Sequence, residues 1–291
     1  MIPPSFEYYT PTTVKEAIGL LDQNPGEAKV LAGGMSLIAM MKLRLVQPGA
    51  LIDINRIPGL AYLKEDDQFL RLGATTRINE VNDSDIVRMR YPILADAGRE
   101  IADPTVRNMG TVGGNICHGD PGNDLPACML ALNAQFQAEG PKGSRTIAAR
   151  QFYQDTFTTA LQPNEILTEV RVPRQGAGCG SAYSKMERKV GDFATAAVAV
   201  ALVVGKDGAI AQAGIGLTNV GPTAIYAAPA AECLQGKTGT DAEIAQAAEL
   251  AKAASAPIAD NRGPVDFKQD MVRVWTRRTL RRALDRAKGA H

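Results

Sequence analysis

Apolar residues recur first at helical spacing, then at strand spacing, from near the start of the chain. Val14, Ala17, Ile18 and Leu21 fall on one face of a helix, as a repeat of about 3.6 residues requires. Thr13-Val14-Lys15-Glu16 reads as its capping box and Asn24-Pro25-Gly26 as its stop. Residues 28–31 form a short buried strand, 37–45 a helix in which Met40 and Met41 pack, and 51–54 a strand closed by Pro58-Gly59. Then come a strand at 69–74, a helix at 92–101, an apolar helix at 125–132, and strands at 134–138 and 166–172. Residues 196–204 are apolar and β-rich, Lys206-Asp207-Gly208 is a hairpin turn, and 209–220 returns as the partner strand. An Ala-rich helix at 241–255 and a long amphipathic one at 265–287 complete the pattern. In the last helix Arg277, Arg278, Arg281 and Arg282 read as a solvated face, with a docking surface as the alternative. The pattern predicts an α+β protein in two units. The first is 1–175, itself divided into about 1–57 and 58–175. The second is 176–291, a smaller antiparallel sheet with helices.

Two glycine pairs interrupt this rhythm, Gly33-Gly34 in Leu31-Ala32-Gly33-Gly34-Met35-Ser36-Leu37 and Gly113-Gly114 in Gly110-Thr111-Val112-Gly113-Gly114-Asn115. Both read as tight turns. Glycine permits positive φ and lets a ligand reach bare amides, and successive amides in such a turn make an anion-binding concavity. Ser36 and Thr111 add hydroxyl donors. Either pair alone is most simply a turn, but two facing loops would grip one diphosphate. No G-x-G-x-x-G with a following acidic residue is present.

Composition narrows the function further. A formal net charge of +1 and 5% aromatic residues give no reason to expect a nucleic-acid partner. Cys117, Cys128, Cys179 and Cys233 are scattered and form no cluster motif. The start of the chain lacks a signal pattern, and the apolar run 193–204 is too short for a spanning helix. A cytoplasmic protein with free thiols is expected. The only histidines are His118 and the terminal His291, so neither a metal site nor a catalytic triad can be assembled. A chain with so little side-chain machinery fits one whose chemistry belongs to a cofactor or to a partner's active site.

The two loop strings resemble the flavin-diphosphate loops of the molybdenum hydroxylase flavoproteins, and the likeness runs along nearly the whole chain, from Ile2-Pro3-Pro4-Ser5-Phe6-Glu7-Tyr8 to the final helix. Ile101-Ala102-Asp103-Pro104 and Arg107-Asn108-Met109-Gly110 resemble the family's run into the second loop, and His118-Gly119-Asp120-Pro121-Gly122-Asn123-Asp124 its continuation. The resemblance implies a two-part FAD-binding domain of the p-cresol methylhydroxylase/vanillyl-alcohol oxidase type, noncovalent FAD, and no catalytic side chain or metal ligand in this chain. It assigns Asp124 as an acceptor for a sugar or ribityl hydroxyl. Asp120 is the other candidate, and capping the turn at Pro121 is its simpler role. The stretch Lys185-Met186-Glu187-Arg188-Lys189-Val190-Gly191-Asp192-Phe193 resembles the segment that meets the flavin. There Phe193 lies beside the ring or packs in the core, and Lys185 contacts the flavin or is simply exposed.

Three departures from the family pattern stand out. Met35 replaces a residue that is often His, Gln or Thr in relatives. Ile101 replaces an aromatic of the xanthine-oxidising members. The insertion that houses a [4Fe–4S] cluster in one branch is missing after Asn115. Three strings, at 119–124, 188–193 and 215–220, lean toward the medium subunits of the aerobic carbon monoxide dehydrogenases. That branch implies a large subunit with molybdopterin and copper, and a small subunit with two [2Fe–2S] clusters, assembled as a dimer of heterotrimers. It also implies an external acceptor such as a quinone, and a place in the cytoplasm, free or peripheral to the inner face of the membrane. The flavin subunit of a purine or N-heterocycle dehydrogenase, a flavin-free nucleotide-binding scaffold and a stand-alone flavin oxidase are the alternatives.

Overall fold

The computed structural model describes residues 2–289; Met1, Ala290 and His291 lie outside the described residues. The first lobe comprises β1 (Glu7–Tyr9), α1 (Val14–Gln23), β2 (Ala28–Leu31), α2 (Leu37–Lys42) and β3 (Ala50–Asp53). Its sheet has the order β1-β3-β2 and both pairs are parallel. Thr13 caps α1 by accepting the Glu16 amide at 3.1 Å, whereas Glu16 reaches back to the Thr12 amide at 2.8 Å. Thr13 is therefore the cap as predicted, and only the return bond of the box is offset by one residue, to Thr12. Ala17, Ile18 and Leu21 bury the predicted face against Ile52 and Ile54. Helix α2 stops at Lys42, short of the predicted Leu45, and Arg44 adopts a left-handed φ of 60°.

The second lobe begins with β4 (Leu63–Glu65) and β5 (Phe69–Gly73). Six short helices follow: α3 (Ile78–Asp83), α4 (Asp85–Arg90), α5 (Pro92–Glu100), α6 (Pro104–Met109), α7 (Val112–Cys117) and α8 (Asp124–Ala131). The lobe closes with β6 (Gln135–Gly140), β7 (Gly143–Ala148), β8 (Tyr153–Asp155), β9 (Thr158–Thr159) and β10 (Ile166–Pro173). Its main sheet is antiparallel, in the order β4-β5-β10-β6-β7. Gly113-Gly114 is not a turn. Both glycines lie in the first turn of α7, which Thr111 caps by accepting the Gly114 amide at 3.0 Å.

The third lobe contains β11 (Cys179–Met186), β12 (Ala196–Val204), β13 (Ile210–Thr218), β14 (Ile225–Tyr226), α9 (Ala228–Glu232), α10 (Asp241–Ala254) and α11 (Val265–Ala287). The strands form one antiparallel sheet in sequence order. β12 alternates as a strand buried on both faces does. Ala197 and Ala199 join the core of the second lobe, while Val198, Val200 and Leu202 join a core with α10 and α11. A Cβ on Gly214 or Gly216 would strike the carbonyl of Ala131 or Ala127. These two glycines let α8 lie hard against β13, so the second and third lobes share one core.

The arginines of α11 are not a uniformly solvated face. Arg286 Nη1 donates to the buried Asp96 carboxylate at 2.7 Å, and Arg282 pairs with the same group. Asp96 also accepts the Tyr183 amide at 3.2 Å. The last helix is thereby fastened to α5 and β11.

Candidate functional site

A cleft of about 660 Å³ opens where the three lobes meet. Its walls include Leu31 through Leu37, Ile101, Ala102, Gly110, Thr111, Gly113, Gly114, Asn115, Asp124, Lys185 and Phe193. The structure thus brings together every sequence-predicted site residue but one. Asp120 is not in the lining; its Oδ1 accepts the Gly122 amide at 2.8 Å, which is the turn-capping role. Lys29, His118 and Asn123 also face the cleft.

The first loop is the stronger anion site. Among the described residues, the consecutive amides of Gly33, Gly34, Met35, Ser36 and Leu37 have no intramolecular acceptor. Gly34 has φ +74°, the left-handed turn that glycine tolerates best, and the curl leaves this row of donors in the cleft wall. Ser36 stands at the start of α2 without making a side-chain cap, so its hydroxyl is not tied to the helix.

The second loop contributes fewer amides than its glycines suggest. The Val112 amide donates to Thr76 O at 2.9 Å and the Gly113 amide to Ala74 O at 2.8 Å. The Gly114 amide is taken by Thr111 Oγ1. What remains is the Thr111 amide, the Thr111 hydroxyl proton, and Asn115, whose buried Oδ1 has no partner among the described residues.

The loops touch. A Cβ on Gly33 would lie 2.8 Å from Gly110 Cα and closer still to the Met109 carbonyl. Gly33 is therefore needed for backbone contact between the loops rather than for a special φ.

The floor of the cleft is a buried ionic network. Lys185, predicted to be either a contact or an exposed lysine, has a side chain only 1% exposed. Its Nζ donates to Glu100 O at 2.7 Å and lies 3.3 Å from Asp124 Oδ1 and 3.4 Å from Glu187 Oε2. Tyr183 donates to Asp124 at 2.5 Å. Burial pushes the Asp124 carboxyl up to about 6, against the opposing pull of Lys185 and the Tyr183 hydrogen bond.

Phe193 stands at the mouth, 49% exposed, in the loop before β12. Core packing is not its role. Its neighbour Asp192 is tied to Arg262 at 3.0 Å and to Arg188 at 3.0 Å. Those cations, with the Phe193 amide, outweigh the effect of burial and hold its carboxyl at about 2.

The arrangement fits a dinucleotide. It offers free amides on one wall, a hydroxyl and a buried unpartnered amide oxygen on the facing wall, a carboxylate at the floor, and apolar positions at Leu31, Ile101 and Phe193. No group of His, Cys, Asp and Glu suited to hold a metal occurs among the described residues.

Comparison with known proteins follows the same lines. Residues 4–175 match the FAD binding domain in molybdopterin dehydrogenase, and residues 181–283 match the CO dehydrogenase flavoprotein C-terminal domain. The carbon monoxide dehydrogenase medium chain of Hydrogenophaga pseudoflava is 47% identical over 97% of this chain and 98% of its own. The medium chain from Afipia carboxidovorans is 42% identical over 99% of this chain and 100% of its own. A solved carbon monoxide dehydrogenase from Hydrogenophaga pseudoflava, lacking the Mo-pyranopterin moiety of its molybdenum cofactor, superposes with a TM-score of 0.96. That match has 48% identity and covers 98% of this chain and 99% of that one.

Proposed function

Because this chain belongs to the family of molybdopterin dehydrogenase flavoproteins, we propose that it is the FAD-carrying electron-transfer subunit of an aerobic carbon monoxide dehydrogenase. The observation that carries the reading is the run of five amides, Gly33 to Leu37, with no acceptor among the described residues, in the wall of a cleft large enough for a dinucleotide.

When bound, FAD supplies a centre that accepts electrons singly and releases them in pairs. The chain's own residues do the holding. The amides of residues 33–37 and the Ser36 hydroxyl take one side of the diphosphate, and the Thr111 amide and hydroxyl take the other. Ionised Asp124 accepts a hydrogen bond from a sugar or ribityl hydroxyl. Leu31 and Ile101 give an aliphatic bed where some relatives use an aromatic. Phe193 borders the opening and leaves room for an acceptor to approach. No residue here needs to act as acid, base or nucleophile.

In this reading substrate is oxidised on a large partner chain bearing molybdopterin and copper. Electrons reach the flavin subunit from two [2Fe–2S] clusters on a small partner chain and leave to a quinone. The three chains pair as a dimer of heterotrimers. No described helix is long and apolar enough to cross a membrane, which suits a protein that acts in the cytoplasm or at the inner membrane face.

The test is to mix the FAD-loaded chain with carbon monoxide and an artificial dye, with and without the partner chains. Dye reduction only with partners present supports the reading. Substrate-dependent reduction by the isolated chain would make it a stand-alone oxidase.

A further inference from the structure

The two cleft loops are separate in sequence, yet one side-chain bridge joins them. Asn55 Nδ2 donates to Ala32 O at 2.8 Å, in the first loop. Asn55 Oδ1 accepts Arg77 Nη2 at 2.9 Å. Arg77 Nη1 donates to Met109 O at 2.6 Å, in the run leading to the second loop. That Met109 carbonyl is the atom against which Gly33 packs. Neither Asn55 nor Arg77 lines the cleft, so neither is placed to touch a ligand.

The bridge is anchored on its far side. Asp53 Oδ1 accepts both the Asn55 amide at 2.9 Å and Asn55 Nδ2 at 2.6 Å, and Asp53 Oδ2 accepts the Tyr8 hydroxyl at 2.5 Å. Asn55 is thus held by β3 and β1 in the orientation that presents its oxygen to Arg77. Arg77 sits at the start of α3, and its planar guanidinium reaches Asn55 and Met109 at once. A lysine ammonium has no such fixed fork.

From this geometry we propose that Arg77 and Asn55 are positioning residues. Together they form a staple that fixes the spacing of the two loops and so sets the affinity for a diphosphate-bearing cofactor. The inference rests on the functional reading above. A donor row preorganised at the right separation binds without first paying to order itself. Without the staple, Gly33 and Met109 still meet, but the directional hydrogen bonds that hold the Ala32 and Met109 carbonyls are lost.

The experiment is a flavin fluorescence titration of apo chain with FAD, alongside apo melting curves, for wild type, Arg77→Ala, Arg77→Lys, Asn55→Ala and the double alanine variant. The staple predicts that each single alanine variant raises Kd about ten-fold, as expected for loss of one charge-assisted link. The double variant should bind no worse than the weaker single one, since two halves of one device are not additive. Arg77→Lys should recover part of the loss through Met109 alone. Apo melting temperatures should stay within about 4 °C of wild type. An unchanged Kd in Arg77→Ala overturns the staple. So do additive losses, absence of any recovery by lysine, or an apo melting drop large enough to account for the affinity loss. Failure of the wild-type chain to take up FAD would remove the functional reading itself and this inference with it.

Discussion

Lys185 and Asp124, 61 positions apart, meet at the floor of the cleft with Nζ 3.3 Å from Oδ1. Lys185 belongs to β11 of the third lobe and Asp124 opens α8 of the second. The pair ties the two lobes together at the point where a cofactor would rest. Both side chains are buried, so removing the cation takes the opposing charge from Asp124 and Glu187 and leaves Asp124 its Tyr183 hydrogen bond.

Lys185→Met is therefore expected to destabilise the folded chain by about 3 to 5 kcal/mol, the usual cost of breaking a buried ion pair from one side. Denaturant unfolding of the apo protein measures it. A change below about 1 kcal/mol would place Lys185 among weak surface pairs.

Asp124 makes a pH prediction with two opposite signs. Its carboxyl lies near 6 in the fold because burial disfavours the charge, above the ordinary carboxylate value of about 4. The folded apo chain holds this proton more tightly than the unfolded chain does, so its contribution to stability rises as pH falls from above 6 towards 4. Cofactor affinity should move the other way. The ionised form is the acceptor, so the Kd for FAD should rise as pH falls through 6. Asp124→Asn should flatten both profiles. Parallel pH dependence of Kd in wild type and variant would remove Asp124 from the binding set.

Much of this was legible in the chain. The β12–β13 hairpin was, because apolar runs flank an Asp-Gly turn, and α1 and α11 were, because their apolar positions repeat cleanly. The cleft lining was legible from the family likeness. What stayed hidden depended on distant partners. Gly113-Gly114 looks like a turn, but the Ala74 carbonyl and the Thr111 hydroxyl oxygen engage its two amides inside a helix. Lys185 looks exposed until Glu100, Asp124 and Glu187 surround it. Arg282 is exposed as it looks, but its pairing with Asp96 from α5 could not be read from the helix alone. β11 was missed because Gly180, Ser181 and Ser184 dilute its apolar alternation. Arg77 and Asn55 carried no signal, since their meaning lies in three carbonyl and amide contacts between loops.

Gly33→Val and Gly114→Val are both expected to abolish measurable FAD binding, for different reasons. The first drives the Met109 carbonyl and Gly110 away from the first loop, and the second places its Cβ 2.7 Å from Thr111 Oγ1 and dislodges the α7 cap. Circular dichroism should stay near wild type. Full flavin occupancy in either variant would make that loop merely structural.

Phe193 is half-exposed, so changing it should leave the fold and FAD affinity nearly intact. Phe193→Trp adds bulk at the mouth and is expected to slow reoxidation of the reduced holo-chain by a quinone analogue. Stopped-flow absorbance checks this. Unchanged reoxidation alongside weakened FAD binding would move Phe193 from the access path to the cofactor bed.

The central claim is that the cleft holds FAD through backbone amides and without a covalent link. The direct measurement is to precipitate the purified, assembled protein in acid and assay flavin in supernatant and pellet. FAD is expected in the supernatant, at about one per chain, as the cleft of dinucleotide size implies. Flavin retained in the pellet would contradict noncovalent binding, and no flavin in either fraction would contradict the account as a whole.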